Sequence, residues 1–246
     1  MCGRYAFLLP PEAMTALFNL LNRAEDYPPR YNITPTQPII AISEREGRRT
    51  ADLFRWGFVP GWVKDPKEFP LLINARAESM LDKPSFRDAV RNSRCVIPAS
   101  GYYEWMKGAD GARRPYYITS TETETMAFAG LYATWAGPNG EEIDTICIVT
   151  VDPNLEISGV YDRMPAILRG QDAIDAWLNT RDVEGRYAAE LAVSAPQGTM
   201  QYHAVGKAIG KATSEGPELI EPAPAEEAGP EKPRRKKADS GQLDLF

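Results

Sequence analysis

Apolar residues recur with two periods along the chain, and these periods predict its helices and strands. Helical spacing predicts helices over residues 10–21, 85–91, 171–178 and 183–191, with Ser85 as the N-cap of the second. Alternating or continuous apolar runs predict strands over residues 38–43, 53–59, 95–98, 102–106, 116–119, 126–135, 143–149 and 201–205. Many short strands with few crossover helices predict an α+β domain, in which mostly antiparallel strands form a β-barrel-like core with a few peripheral helices.

The composition changes sharply after Pro222. Residues 223–241 are mostly Pro, Ala, Glu, Lys and Arg, and such a segment buries too little apolar surface to offset the entropy lost on ordering. We therefore predict a folded domain over residues 1–222 and a disordered linker over residues 223–241. Residues 242–246 then carry three large apolar side chains, which predicts a short binding peptide.

Composition narrows the class of protein. The chain has 246 residues, 43% hydrophobic content and a net charge of −6, which fits one large domain with a tail and argues against a broadly basic nucleic-acid coat, though not against a local basic cleft. Three cysteines without a CxxC pair, and one histidine, favour a reducing compartment over a disulfide framework or a zinc site. No signal peptide or membrane-spanning run is visible, so we expect a cytoplasmic protein without metal or cofactor.

Cys2 offers chemistry that an internal cysteine lacks. If Met1 is removed, the α-amine and the thiol of Cys2 form a 1,2-aminothiol, which condenses with an aldehyde to a thiazolidine ring. The thiol could instead attack an amide, with the amine as its base. Taken alone, Cys2 is more simply interpreted as a small buried residue.

Three polar residues interrupt segments that otherwise have the pattern of core. Asn74, Glu104 and Arg163 each have a simple structural interpretation: a satisfied amide, a solvated strand face and a local ion pair with Asp162. Together with Cys2 they indicate a site, because buried polar groups either pair or serve a function. A carboxylate can move the protons of a condensation, and an amide can hold an amine or a sugar hydroxyl.

The ordered set of motifs resembles the SRAP (SOS-response-associated peptidase) family, whose members cross-link themselves to abasic sites in DNA. The resemblance runs from Met1 to about Pro222. It rests on Met-Cys-Gly-Arg at 1–4, Arg-Tyr-Asn at 30–32 with Pro35, Trp-Gly-Phe-Val-Pro-Gly-Trp at 56–62, Ile-Asn-Ala-Arg-Ala-Glu at 73–78, Arg-Cys at 94–95, Gly-Tyr-Tyr-Glu-Trp at 101–105, Asp-Arg-Met-Pro at 162–165 and Gly-Pro-Glu-Leu-Ile at 216–220.

The resemblance implies a role for each site residue. Cys2 would form a thiazolidine with the aldehyde of an abasic site in single-stranded or junction DNA, Asn74 would position the amine and sugar, and Glu104 would transfer protons. The implied DNA-binding residues are Arg4, Arg76 and Arg163 on phosphates, and Trp105 beside a base pair. The residue types alone add Trp62 as a base-stacking side chain. A peptidase activity that removes Met1 and a weak lyase activity at abasic sites are also implied.

One position departs from the family pattern. The family usually has a histidine directly before Asp162-Arg163, where this sequence has Tyr161. A phenol rarely acts as a base at neutral pH, so we expect cross-linking to persist and release or lyase activity to be slower. His203, the one histidine, lies in a predicted strand and is interpreted as structural.

The C-terminal residues Gln242, Leu243, Asp244, Leu245 and Phe246 resemble the short peptide that binds the bacterial sliding clamp. A linker of this length spans roughly 25 Å, so the domain could search DNA near the clamp. The alternative is a tail that docks on its own domain.

Three hypotheses follow from the sequence. The first is a DNA-damage protein that forms a covalent abasic-site cross-link, the second an N-terminal-cysteine peptidase or amidohydrolase, and the third a non-catalytic adaptor tethered to the clamp. The arginines and tryptophans favour the first, since a peptidase does not require several phosphate-binding arginines.

Overall fold

The computed structural model describes residues 2–21, 27–45 and 47–224. The helices are α1 (Pro11–Phe18), α2 (Arg87–Asn92), α3 (Gly170–Leu178) and α4 (Gly185–Ala189). The strands are β1 (Tyr5–Phe7), β2 (Arg30–Ile33), β3 (Pro38–Arg45), β4 (Arg48–Trp56), β5 (Asn74–Arg76), β6 (Arg94–Ala99), β7 (Gly101–Lys107), β8 (Arg113–Ser120), β9 (Met126–Ala136), β10 (Glu142–Val151), β11 (Met164–Pro165), β12 (Ile167–Leu168) and β13 (Met200–Ala204).

Five strands close into a barrel. They pair in the order β10, β4, β3, β6 and β9, and β9 pairs back onto β10. The pairs are antiparallel except that of β4 with β10, and β5 adds a second parallel partner to β10. The predicted α+β class with a barrel of mostly antiparallel strands is therefore confirmed.

A second sheet of five strands, in the order β13, β8, β7, β1 and β2, lies against this barrel. Tyr5 of β1 and Tyr102 of β7 both make edge-on ring contacts with Phe128 of β9. The main core, which contains all three residues and Cys2, lies between the two sheets. The N-terminal segment is thus placed inside the molecule by strand pairing rather than on its surface.

Arg94 anchors the helices to the barrel. Its guanidinium is buried and donates hydrogen bonds to the carbonyl oxygens of Val90, Trp177, Asn179 and Val183 at 2.6 to 2.9 Å, and to one more at 3.2 Å. These acceptors lie on α2, at the C-terminal end of α3 and just before α4, so one side chain fixes three helices. Burial lowers the pKa of Arg94 to about 10, and it remains charged at neutral pH.

The helices differ from prediction mainly at their ends. α1 ends at Phe18 because Asn19 takes the left-handed conformation, with φ of 52°. α2 begins at Arg87, and its N-cap is Phe86, not Ser85. Phe86 is buried and packs against Phe58 at 5.5 Å between ring centroids, so packing rather than a side-chain cap places the start of this helix.

The C-terminal part of the domain closes on the second sheet. Pro222 forms a bridge with Val205, and the amide of Ala223 donates to the carbonyl of Ala204 at 2.8 Å. The predicted peptide Gln242–Phe246 and nearly all of the predicted linker lie outside the described residues. Among the described residues, no helix is long and apolar enough to cross a membrane.

Candidate active site

Cys2 and Asn74 are in direct contact. Cys2 is fully buried in the main core, and its carbonyl oxygen accepts a hydrogen bond from Asn74 Nδ2 at 3.2 Å. Asn74 begins β5 and pairs with Ile148 of β10, so the barrel sets its position. The other amide atom, Asn74 Oδ1, is buried without a hydrogen-bond partner in the described part of the chain, which leaves an acceptor at the backbone of Cys2.

Glu104 faces the same interior. It lies on β7 opposite Tyr116 of β8 and is 3% exposed. Burial raises the pKa of Glu104 to about 7, the charge of Asp162 adds to this rise, and a backbone hydrogen bond at Trp105 opposes it. A carboxyl group with this pKa is part acid and part base at neutral pH, so it can both give and take a proton.

The surroundings of the Cys2 thiol do not activate it as a nucleophile in the resting state, because they raise its pKa. Burial raises the pKa of Cys2 well above its ordinary value, and the negative charge of Glu104 raises it further. The sulfur therefore holds its proton at neutral pH in this state. Because the same neighbour, Glu104, has a pKa of about 7, it is a candidate base for this thiol.

Tyr161 lies beside Glu104, as expected from its place before Asp162. Burial raises the pKa of Tyr161, and the charges of Glu104 and Asp162 raise it further. Its hydroxyl is thus a donor rather than a base at neutral pH. His203 is on the opposite face of the sheet: it pairs with Tyr117, the partner of Tyr103, whereas Tyr116 is the partner of Glu104.

The His203 ring is held by backbone. Its Nε2 lies 2.7 Å from the carbonyl oxygen of Ile220, and the ring packs edge-on against Tyr117 at 5.9 Å. These contacts and its position on the face opposite Glu104 fit the structural interpretation of His203, which stays a prediction.

Arg163 is bound by carboxylates. It is 8% exposed, and its two terminal nitrogens bond both oxygens of Glu78 at 2.8 and 2.9 Å, Asp152 Oδ1 at 2.7 Å and the Thr150 carbonyl at 2.6 Å. Burial alone would raise the pKa of Glu78, but the hydrogen bond and charge of Arg163 lower it, and so does the charge of Arg76. The sequence suggested a local ion pair between Arg163 and Asp162, but the observed partners of Arg163 lie further away in the sequence.

Arg4 and Trp105 form a pair on the outer face of the second sheet. Side chains alternate along β7, so Trp105 lies on the face opposite to Glu104. The Arg4 guanidinium lies 5.6 Å from the centre of the Trp105 ring. Arg4 also donates to Asn32 Oδ1 at 3.1 Å and to the carbonyl oxygens of Ile209 and Gly210.

The two remaining predicted DNA-binding residues are exposed. Arg76 ends β5, two residues after Asn74 and therefore on the same side of that strand. Trp62 is 61% exposed, packs edge-on against Phe69 at 5.7 Å, and borders a shallow surface with Arg87 and Arg91 of α2. The structure thus brings Cys2, Asn74, Glu104 and Tyr161 into one site and distributes the other predicted residues around it.

Sequence reasoning missed two buried tyrosines in this site. Tyr5 and Tyr102 are direct cross-strand partners, both fully buried, and neither hydroxyl has a hydrogen-bond partner within the described ranges. The period of two along β7 was the available signal, since it places Tyr102 on the same face as Glu104. Within the described residues, no group of three or more His, Cys, Asp or Glu side chains is placed to hold a metal ion.

A buried cysteine, an amide with an open acceptor and a carboxyl group with a pKa near 7 together form the candidate active site of this barrel protein. The chain belongs to the SRAP family: the family model described as SOS response associated peptidase (SRAP) matches residues 1–212.

Curated relatives agree with this assignment, and a solved structure shares the fold. Abasic site processing protein YoqW of Bacillus subtilis (strain 168) is 34% identical over 224 residues, which cover 90% of this chain and 99% of the relative. Abasic site processing protein YedK of Escherichia coli (strain K12) is 30% identical over 229 residues, 90% of this chain and 100% of the relative. A crystal structure of a protein from Bacteroides thetaiotaomicron shares the fold, with a TM-score of 0.81 and 24% identity over 90% of this chain and 100% of that one.

Proposed function

We propose that this protein processes abasic sites in DNA by forming a thiazolidine cross-link between Cys2 and the aldehyde of the ring-opened deoxyribose. The observation that carries the proposal is the placement of Cys2 between Asn74, which bonds its carbonyl, and Glu104, whose pKa burial raises to about 7. Membership of the SRAP family and the names of its relatives support abasic DNA as the substrate.

Glu104 closes a proton cycle in this reaction. The Cys2 amine adds to the aldehyde carbon, and the Glu104 acid protonates the resulting hydroxyl, which leaves as water and gives an iminium ion. The sulfur then bonds to the iminium carbon, and the thiol proton returns to the Glu104 carboxylate. One proton is given and one is taken back, so a single group with a pKa near 7 serves both steps.

The reaction requires a free Cys2 amine, so Met1 must first be removed. We propose that the site performs this cleavage itself, with the Cys2 thiol as nucleophile and Glu104 as its base. The sulfur bonds to the Met1 carbonyl carbon as the peptide C–N bond breaks, Glu104 passes the thiol proton to the freed amine, and water then hydrolyses the thioester to methionine and the free thiol. The Asn74 hydrogen bond to the Cys2 carbonyl fixes the segment whose preceding peptide bond is cleaved. After cleavage, the open Asn74 Oδ1 is an acceptor for the new amine.

Tyr161 supports stable cross-links. Because its pKa is raised, its hydroxyl donates a hydrogen bond to the sugar but does not remove a proton at neutral pH. Lyase activity and reversal of the cross-link each need a group that removes a proton at the position of Tyr161. Both activities are therefore expected to be weak in this protein.

The proposed DNA path runs from β5 of the barrel to the outer face of the second sheet. Arg76, exposed beside Asn74, would bind a phosphate next to the lesion. Arg4 and Trp105 form a cation–aromatic pair that would bind DNA outside the site, and Trp62 would stack on a more distant base. Arg163 would contact a phosphate only by exchanging its Glu78 and Asp152 partners.

Residues Gln242–Phe246 are proposed to bind the sliding clamp, and residues 223–241 to act as the linker from the 1–222 domain. This tether would place the protein at replication forks in the cytoplasm, where single-stranded abasic DNA is exposed. Loss of clamp pull-down on deletion of residues 242–246 is the expected result, and retained binding would refute the assignment.

The decisive experiment is a denaturing gel of the purified protein with single-stranded DNA that carries one abasic site. Intact mass first verifies that Met1 is absent. A shifted band should form with abasic DNA, and neither intact-base DNA nor the Cys2→Ala variant should give a stable band. Absence of a band with the processed wild type would contradict cross-linking and favour the amidohydrolase hypothesis.

A further inference from the structure

The proposed mechanism leaves two buried hydroxyls near the nucleophile without a task, those of Tyr5 and Tyr102, and of the two only Tyr102 shares a strand with Glu104. Tyr102 lies on β7, two residues before Glu104 and on the same face, and opposite Tyr5, which follows Cys2 by three residues. Tyr102 is fully buried, and its hydroxyl has no hydrogen-bond partner among residues 2–21, 27–45 and 47–224. A buried hydroxyl in this state costs stability, so a compensating function is indicated.

The surroundings keep this hydroxyl protonated. Burial raises the pKa of Tyr102 well above its ordinary value, and the charges of Cys2 and then Glu104 raise it further. The phenol is therefore a neutral hydrogen-bond donor at neutral pH. Its electrostatic neighbours are the sulfur that must become an anion and the carboxylate that takes the sulfur's proton.

We propose that the Tyr102 hydroxyl stabilises the Cys2 sulfur as it loses its proton, a role that rests on the proposed cross-linking function. A neutral thiol is a weak acceptor, so the hydroxyl gains little in the resting state. As the S–H bond breaks and the proton moves to Glu104, negative charge develops on the sulfur and the phenol donates a hydrogen bond to it. When the sulfur bonds to the iminium carbon, that charge is neutralised and the hydrogen bond from the Tyr102 hydroxyl is no longer needed.

Tyr102→Phe isolates this role, because it keeps the ring and its contact with Phe128 and removes only the oxygen. We expect cross-linking to slow about tenfold or more. We also expect the melting temperature to be equal or higher, since an unsatisfied buried hydroxyl is gone. A purely structural tyrosine would not combine slower chemistry with undiminished stability.

Tyr103→Phe is the matched control on the same strand. Its hydroxyl is satisfied, donating to the Tyr31 carbonyl at 2.7 Å, and it faces away from Glu104. This variant should melt at a lower temperature and cross-link at the wild-type rate. We therefore expect Tyr102→Phe to lower the cross-linking rate without loss of stability, and Tyr103→Phe to lower stability without loss of rate.

A second readout does not depend on DNA. The rate of Cys2 alkylation by iodoacetamide is followed against pH, with the N-terminal peptide quantified by mass spectrometry. Tyr102→Phe should move the inflection to higher pH because the thiolate loses its donor. An unchanged inflection and cross-linking rate would overturn the role of Tyr102, as would a parallel loss of stability and rate. A wild-type protein that forms no cross-link at all would instead refute the proposed function, and the alkylation profile would still decide the role of Tyr102.

Discussion

Replacing Glu104 with glutamine should make the protein more stable at neutral pH while it stops efficient cross-linking. Burial raises the pKa of Glu104 from 4.5 to about 7 in the native state. At a pH between these two pKa values, Glu104 is protonated in the native protein and ionised in the unfolded chain. The contribution of Glu104 to stability is therefore greatest below pH 4.5, decreases as pH rises through 7 and is constant above that.

The size of the effect follows from the shift in pKa. A rise from 4.5 to about 7 corresponds to about 3 kcal/mol of native-state destabilisation at pH 8. Glutamine is nearly isosteric with the protonated acid and does not ionise. Glu104→Gln should thus match the wild type near pH 4.5 and exceed it by up to about 3 kcal/mol at pH 8.

Urea unfolding of both proteins at pH 5 and pH 8 measures this difference. Glu190→Gln, which removes an exposed carboxylate at the end of α4, is the control and should leave the pH dependence unchanged. The same samples should show slow cross-linking for Glu104→Gln only, because the amide neither gives nor takes the proton. If the wild type and Glu104→Gln lose stability equally between pH 5 and pH 8, the proton shuttle assigned to Glu104 is wrong.

Two further predictions concern Tyr161 and Arg163. Tyr161→His should speed release of a preformed cross-link, because an imidazole with a pKa of about 6.5 can act as a base where the phenol cannot; a gel time course measures this, and equal release rates would remove the argument. Arg163→Leu should lower the free energy of unfolding by about 1–3 kcal/mol, because the Thr150 carbonyl and Glu78 lose their donor; unchanged urea unfolding would mean that these hydrogen bonds do not stabilise the fold.

Most long strands were predictable from sequence because packing on one or both faces leaves a regular pattern. The prediction over 53–59 was wrong at both ends, since β4 spans Arg48–Trp56. The predictions over 95–98, 102–106, 126–135 and 143–149 each fall within an observed strand. The short strands were not predicted, since three residues at β1 or two at β11 carry no period. Pairing with a distant strand stabilises them, and no local window of sequence contains that partner.

The site was predictable in its residues and less so in its geometry. Alternation along β7 requires neighbouring Glu104 and Trp105 to face opposite sides, so this separation was available from the sequence. The partners of Arg163 were not, because Glu78 and Asp152 precede it by 85 and 11 residues. Only the folded chain brings those carboxylates to the guanidinium.

The energetic conflicts of this protein are concentrated around Cys2. Asn74 Oδ1 and the hydroxyls of Tyr5 and Tyr102 are buried without partners in the described chain, and burial raises the pKa values of Cys2 and Glu104. Each of these features opposes folding, and an apolar core without them would be more stable. In the proposed reaction, a substrate that supplies an aldehyde and hydroxyl groups, together with the charge that develops on the Cys2 sulfur, would satisfy them together. This concentration of unsatisfied groups is what the proposed reaction requires, since a site that binds an intermediate more tightly than the resting state leaves such groups open before the reaction.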